Sequence, residues 1–268
     1  MDNTEKPVWE DKQNRRQGKR IKMDSSGMNK CQTKMVALLA KETRLASIGE
    51  KLSEGRAKIL KFLFDTQMSQ GEVLVSIKGQ TASRDAMGSL LPQKPMACDI
   101  INCYCAMKTA RQQRRAVDQS MRWWFMPTWF QQEILEFNKS ADELYCTYLQ
   151  ECKVGGNIKK CEKIFVQIWH DEHWYMCVVD MGSEEVLIYD SMREHEQTDM
   201  NRRSSVEIVI ERLETALTYG LEGQYSSCLW LNKIKAAATC PQQRNAWDCG
   251  LFMLKYMDML SSGIGSWK

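Results

Sequence analysis

Residues 162–192 read EKIFVQIWHDEHWYMCVVDMGSEEVLIYDSM, and the fold class turns on this stretch. IFVQIW, HWYMCVVD and EEVLIYD each gather β-branched and aromatic residues over the length of a strand. A Met-Gly-Ser turn region separates the last two, which predicts an antiparallel hairpin. With the turn centred between Met181 and Gly182, opposed residues have numbers that sum to 363. That register sets His173, the first residue of one strand, opposite Asp190, the last of the other. Directly opposed Cβ atoms lie about 4.5–5.5 Å apart, within reach of a carboxylate to imidazole hydrogen bond. A carboxylate so placed fixes the imidazole tautomer and stabilises its protonated form. His170, near the strand mouth, and Asp180, a second carboxylate in the hairpin, compete for these places, but neither gives the same opposed geometry. A lone histidine or aspartate at a strand end is ordinarily structural; the pairing gives this couple its chemical meaning.

Further along, residues 240–250 read CPQQRNAWDCG. From Cys249 the sequence CGLFMLKYMDML is of helical length and apolar nearly all round, which predicts a buried helix with Asp248 as its N-cap. A thiol in the first turn feels the positive end of the helix dipole, and a nearby imidazolium lowers its pKa further. Taken alone, a cysteine ahead of an apolar helix is more often simply core. Gln243 lies six residues upstream, in a segment that turns at Pro241. Its amide can donate to the oxyanion that develops in acyl transfer, together with the nucleophile's own N–H. Gln242 can exchange roles with it, and a surface glutamine is the ordinary explanation for either.

The rest of the chain divides by composition. Residues 1–30 form a polar, basic tail expected to be flexible, with KQNRRQGKRIK at 12–22 as a solvated patch or a nuclear address. Over 31–70 a helical extension is expected. Met35, Leu38, Leu39, Leu45, Ile48, Leu52, Ile59 and Leu63 recur at roughly helical spacing there, broken near Gly49 or Gly55. That segment, 32–65, would pack on the main domain or serve self-association. From 71 to 268 the pattern is mixed: a strand at EVLVSI, a turn capped by Ser83, a helix at ACDIINCYCAMKTA and a basic run RQQRR at 111–115. A further helix is expected over Gln131–Leu149. In RWWFMPTWF, Trp123, Trp124, Phe125, Trp129 and Phe130 are expected in the core rather than on a binding patch.

Composition narrows the function classes. The 268 residues carry a formal net charge of +3, which demands no nucleic-acid partner. No run approaches 18 apolar residues and MDNTEKPVWEDKQ lacks the apolar core of a secretory signal, so no membrane association and an intracellular, nuclear rather than cytoplasmic, address are expected. The cysteines number 11 and no pair has CxxC spacing, so neither a zinc site nor a disulfide framework is expected.

HW at 173–174, YDS at 189–191 and PQQRNAWDCG at 241–250 together resemble the motifs of the ubiquitin-like-protein-specific cysteine proteases, the SUMO-deconjugating peptidases, in a divergent, plant-type form. The order His, Asp, Gln, Cys and the Gln-x5-Cys spacing are the family's, and the likeness covers about residues 72–260. The resemblance implies an α+β fold, with a papain-like cysteine protease core whose central mixed or antiparallel sheet is flanked by helices. It implies that Cys249 is the nucleophile, His173 the general base and acid, Asp190 the orienting carboxylate and Gln243 the oxyanion donor. Trp174 would line the channel for a C-terminal diglycine. Met96-Ala97-Cys98-Asp99 stands where the family has Trp-Leu-Asn-Asp; Asp99 is kept, and the absent tryptophan removes one wall of the channel. The chain stops soon after the Cys249 helix, where family members commonly continue with a further helix, so a divergent or truncated copy is expected. The implied partners are a SUMO-type modifier and its conjugates, with no metal and no organic cofactor. The alternative on the same fold is a catalytically silent modifier-binding or scaffold protein.

Overall fold

The computed structural model describes residues 53–115, 122–150, 153, 156–193, 196–222 and 230–262. The basic tail expected over 1–30 and most of the helical segment expected over 32–65 lie outside these residues. The described part begins with α1 (Glu54–Leu63), on which Ile59 and Phe62 are exposed and Leu63 is buried. A hairpin follows, of β1 (Val73–Ile77) and β2 (Gln80–Ser83), turning through Lys78 and Gly79, both at positive φ. Positive φ at both central residues gives the turn the twist that a two-residue hairpin requires. Ser83 Oγ accepts from the Ala86 N–H at 3.2 Å and opens α2 (Arg84–Gly88), as its cap position predicts. Arg84, 1% exposed, donates to the carbonyls of Phe62 and Leu63 and to Glu72, fastening the end of α1 to this hairpin.

After α3 (Cys98–Arg115) come β3 (Trp123–Phe125) and α4 (Trp129–Leu135). The helix expected over 131–149 is divided. Asn138 turns at φ 46, and Ser140 with Glu143 forms a capping box that starts α5 (Ala141–Leu144), which runs into a π-helical turn at Tyr145–Leu149. Of the aromatic stretch, Trp124, Phe125 and Phe130 are buried, but Trp129 is 40% exposed and Trp123 is half-buried beneath the Arg122 guanidinium. The long segments β4 (Lys163–His170), β5 (His173–Asp180) and β6 (Glu185–Tyr189) follow, then α6 (Glu196–Gly220), β7 (Ile234–Ala236) and α7 (Cys249–Ser262).

The main sheet has the order β3-β4-β5-β6-β7, antiparallel in its middle and parallel at both edges. The middle of β4 and all of β5 but its last residue are buried, which requires cover on both faces. One face carries Ile164, Val166, Ile168, Tyr175, Cys177, Val179, Val186 and Ile188 into a core shared with α4, α5 and α6. On the opposite face Phe165 stacks on Phe125 at 4.7 Å, and Trp174 reaches the chain just before α3. Helix α6, absent from the sequence reading, is legible in retrospect: Val206, Val209, Ile210, Leu213, Ala216 and Leu217 repeat at 3.6-residue spacing and are all buried.

Two hairpins bring β4, β5 and β6 together. His170 pairs with His173 across Asp171 and Glu172, both at positive φ, as a two-residue turn demands. Between β5 and β6 the expected register is corrected: Met176 faces Tyr189 and Asp180 faces Glu185, so opposed numbers sum to 365 rather than 363. The cause is Asp180, whose Oδ1 accepts from the N–H groups of Gly182 (3.0 Å) and Ser183 (3.1 Å) and draws the turn one residue onward. A shift of two in the sum leaves every side chain on its face. His173 and Asp190 thus stay on the α6 side of the sheet but meet diagonally.

Because α6 covers the side of the sheet that bears those two residues, its buried stripe governs the fold. Leu213→Ala, at 0% exposure, is expected to lower unfolding free energy by about 2–5 kcal/mol in urea titration. Ile208→Ala, at 46% exposure on the same helix, is expected to change it by no more than about 0.5 kcal/mol.

Candidate active site

The loop that delivers Cys249 is organised by Asn245. Its Oδ1 accepts from the N–H groups of Trp247 (3.1 Å) and Asp248 (2.9 Å), and its Nδ2 donates to Asp248 Oδ2 at 2.8 Å. The Asp248 carbonyl then accepts from Phe252 N–H at 3.0 Å, the first bond of α7. Cys249 is therefore the first residue of the helix, fully buried, with the positive end of the dipole behind its sulfur. Gly250 is needed beside it: a Cβ there would lie 2.6 Å from Met96 Cβ, so the helix start and the chain before α3 touch backbone to side chain. Trp174 closes the same corner. Its indole N–H donates to the Met96 carbonyl at 2.8 Å and its ring packs against Trp169.

His173 and Asp190, both 3% exposed, are joined by a hydrogen bond of 2.7 Å between Nε2 and Oδ1. This leaves Nδ1 of the ring unused by Asp190, and the imidazole bears electrostatically on the Cys249 thiol. Asp190 Oδ1 accepts as well from Met192 N–H (2.8 Å), and Oδ2 accepts from Arg202 Nη1 (2.7 Å). The competing assignments fall to other duties. Asp180 is tied to Lys163 and to its turn, and the His170 ring is partly exposed at the hairpin end, 3.3 Å from Asp171.

The electrostatics follow from these contacts. Burial alone would push the Cys249 thiol up, but the hydrogen bond with His173, the N–H groups of Trp174 and Gly250 and the imidazole charge carry it below its ordinary value. Burial alone would lower His173; the bonds to Asp190 and Cys249 and the Asp190 charge carry it above the usual imidazole range, against the opposing charge of Arg202. Burial would raise Asp190, yet His173, the Met192 N–H and Arg202 hold it below the usual carboxylate range. A thiolate and imidazolium side by side, backed by an ionised carboxylate, is the state these shifts favour.

The two glutamines are distinguished by their donors. Both N–H groups of Gln242 are committed, to the carbonyls of Asp190 and Cys240, each at 2.9 Å. Gln243 is fixed by Ser191, whose hydroxyl donates to its Oε1 at 2.6 Å and whose carbonyl accepts its backbone N–H; its Nε2 donates one hydrogen to the Asn245 carbonyl. A primary amide has two N–H groups, so the second of Gln243 can serve another acceptor. Asp99 lies half-buried in the first turn of α3, where its charge bears on Cys98 and Cys103. Arg202, Tyr175 and Ser191 were not foreseen from the sequence. The helical stripe of α6 was the available signal for Arg202, though periodicity alone does not say which polar residue of a helix turns inward. Among the described residues no group of three or more His, Cys, Asp or Glu side chains is placed to hold a metal ion, and no helix is long and apolar enough to cross a membrane.

The family model of the Ulp1 protease C-terminal catalytic domain matches residues 94–268. The chain belongs to the Ulp1 protease family. Among curated proteins it is 26% identical over 206 residues to ubiquitin-like-specific protease 1A of Arabidopsis thaliana, covering 73% of this chain and 38% of that protein. It is 23% identical over 185 residues to ubiquitin-like-specific protease ESD4 of the same plant, covering 68% of this chain and 35% of that protein. It thus spans little more than a third of the length of these relatives. The yeast Ulp1 protease domain solved in complex with Smt3, the yeast ortholog of SUMO, superposes with a TM-score of 0.59 at 15% identity, over 80% of this chain and 86% of that one. The Chaetomium thermophilum Ulp1-like SUMO protease catalytic domain gives 0.56 at 20% identity, over 80% and 81%. These establish the α+β fold of the Ulp1 family. The matched segment of the family model starts after the β1–β2 hairpin.

The ion pair has a spectroscopic consequence. The ultraviolet thiolate absorbance of the wild type minus that of Cys249→Ser is expected to titrate below the free-thiol value of about 8.5. A midpoint at or above that value contradicts the pairing.

Proposed function

We propose that the chain is a cysteine-type peptidase, an isopeptidase and endopeptidase, that cleaves after the C-terminal diglycine of a ubiquitin-like modifier of the SUMO type. The observation that carries this reading is the hydrogen-bonded pair of His173 and Asp190, with the Cys249 thiol coupled electrostatically to the imidazole and placed at a helix N-terminus. His173 takes the thiol proton, and the thiolate attacks the scissile carbonyl. The Cys249 N–H and the free N–H of Gln243 stabilise the tetrahedral oxyanion. His173 then protonates the leaving amine, and water, activated by the same imidazole, hydrolyses the thioester. Asp190 keeps the ring oriented throughout. Trp174 and Met96, tied to one another beside Cys249, form the wall past which a side-chain-free diglycine fits. Asp99 would act from the substrate side of α3. The relatives' names support the choice of modifier class, and the basic segment at 12–22 supports a nuclear address.

A panel of ubiquitin-like modifiers carrying a C-terminal vinyl sulfone tests the reading. A SUMO-type probe is expected to form a covalent adduct that Cys249→Ser abolishes. Binding of the modifier with no adduct from any probe would instead identify a silent binding protein. Within the active form, Gln243→Ala is expected to lower kcat by about 10²–10³-fold, as loss of one oxyanion donor does. Gln242→Ala, whose amide is spent on backbone carbonyls, is expected to act on stability and leave kcat within about a factor of ten.

A further inference from the structure

Helix α6 reaches the active site through one side chain that the chemistry above does not use. Arg202 is 5% exposed, and its Nη1 donates to Asp190 Oδ2 at 2.7 Å and to the Met192 carbonyl. The same residue's backbone carbonyl accepts from the Tyr175 hydroxyl at 3.2 Å, and the Tyr175 ring lies nearly parallel to that of His173, with centroids 6.1 Å apart. A single turn of α6 thus touches the carboxylate and the aromatic neighbour of the imidazole. We infer that Arg202 is a positioning residue of the Cys249, His173 and Asp190 set, holding the far oxygen of the carboxylate so that the near oxygen stays on the ring. This rests on the reading of those three residues as the reacting groups.

Two physical needs converge on the guanidinium. The first is orientation: His173 and Met192 hold only Oδ1, so without the guanidinium the buried Oδ2 is left without a donor and the plane of the carboxylate is fixed from one side alone. The second is electrostatic. An isolated aspartate against a buried imidazole would hold the proton firmly, whereas His173 must release it to the leaving amine. A cation behind Asp190 weakens that grip. Both bonds run from the one nitrogen Nη1, so an ammonium placed there by lysine keeps the charge and can donate to the same two acceptors. The other titratable groups here do not confuse the effect. Tyr175 beside His173, and Cys240 and Tyr256 near Asp190, are all pushed upward by burial and stay neutral through the working range. Cys249, His173 and Asp190 are left to titrate.

The chain has three histidines, His170, His173 and His195, so their ring protons can be followed individually by NMR against pH. In R202Q the His173 midpoint is expected to rise by about one pH unit, the size of a nearby charge's effect, while R202K stays near wild type. The kcat/KM profile on a responding modifier substrate is expected to move to higher pH in R202Q alone. A folded R202Q whose His173 midpoint is unchanged or lowered overturns the inference. Because removing one member of a buried ion pair is destabilising, the wild type supplies a second measurement. The Arg202 guanidinium N–H resonances are expected to shift with the His173 midpoint, and a flat response across that midpoint overturns the inference even where R202Q does not fold. The titration needs no turnover, so a chain that reacts with no modifier probe still reports on Arg202, and failure of one reading is separable from failure of the other.

Discussion

Asp190 is an ionised carboxylate almost wholly withdrawn from water, and an unpaired charge there would be prohibitively unfavourable. Its stability depends on three donors from three parts of the chain: the imidazole at the start of β5, the N–H of Met192 just past β6, and the guanidinium of α6. Each donor is where it is because a different rule of folding placed it. Strand alternation puts His173 and Asp190 on one side of the sheet, the residue after Asp190 turns to present its neighbour's N–H, and the helical stripe of α6 rotates Arg202 inward. The carboxylate therefore gathers these elements as much as it serves them.

The nucleophile arrives from elsewhere. Cys249 heads α7, and the residues around its start pack with Met96 and Trp174, residues of the sheet side away from α6. The sulfur and the carboxylate are thus approached from opposite sides of the sheet, and the imidazole at the strand end is the one group able to touch both. This explains why His173 sits at the first position of β5 rather than mid-strand, where the flanking strands would wall it off. Burial raises the energy of every charge in this corner, and the sum is tolerable only because positive and negative groups alternate: thiolate, imidazolium, carboxylate, guanidinium.

Much of this was legible in residue patterns. The three strands of 162–192 announced themselves by β-branched and aromatic runs, the helix at Cys249 by an apolar stretch behind an acidic residue, and the cap at Ser83 by its neighbours. Errors arose where a side chain, rather than a pattern, decides. Asp180 took two turn amides and moved the hairpin register by two; Asn138 and the Ser140 capping box split a helix whose hydrophobic spacing runs on unbroken. Trp129 is solvent-facing although its aromatic neighbours are core, because only one face of a short helix can be covered. Helix α6 and strand β7 were passed over, the former for want of an apolar stretch as dense as those of the strands.

The sequence by itself determined the chemical inventory: a histidine and an aspartate at the two ends of one hairpin, paired glutamines before a cysteine, and that cysteine at the head of an apolar helix. These are local facts, set by periodicity and capping over a few residues. Only the tertiary structure decided which glutamine retains a donor, that Met96 and Gly250 touch, and that a guanidinium from α6 completes the carboxylate's shell. Those outcomes depend on where chain segments separated by dozens of residues come to rest, and packing against the two faces of a buried sheet has no signature in the residues that share it until the sheet is formed.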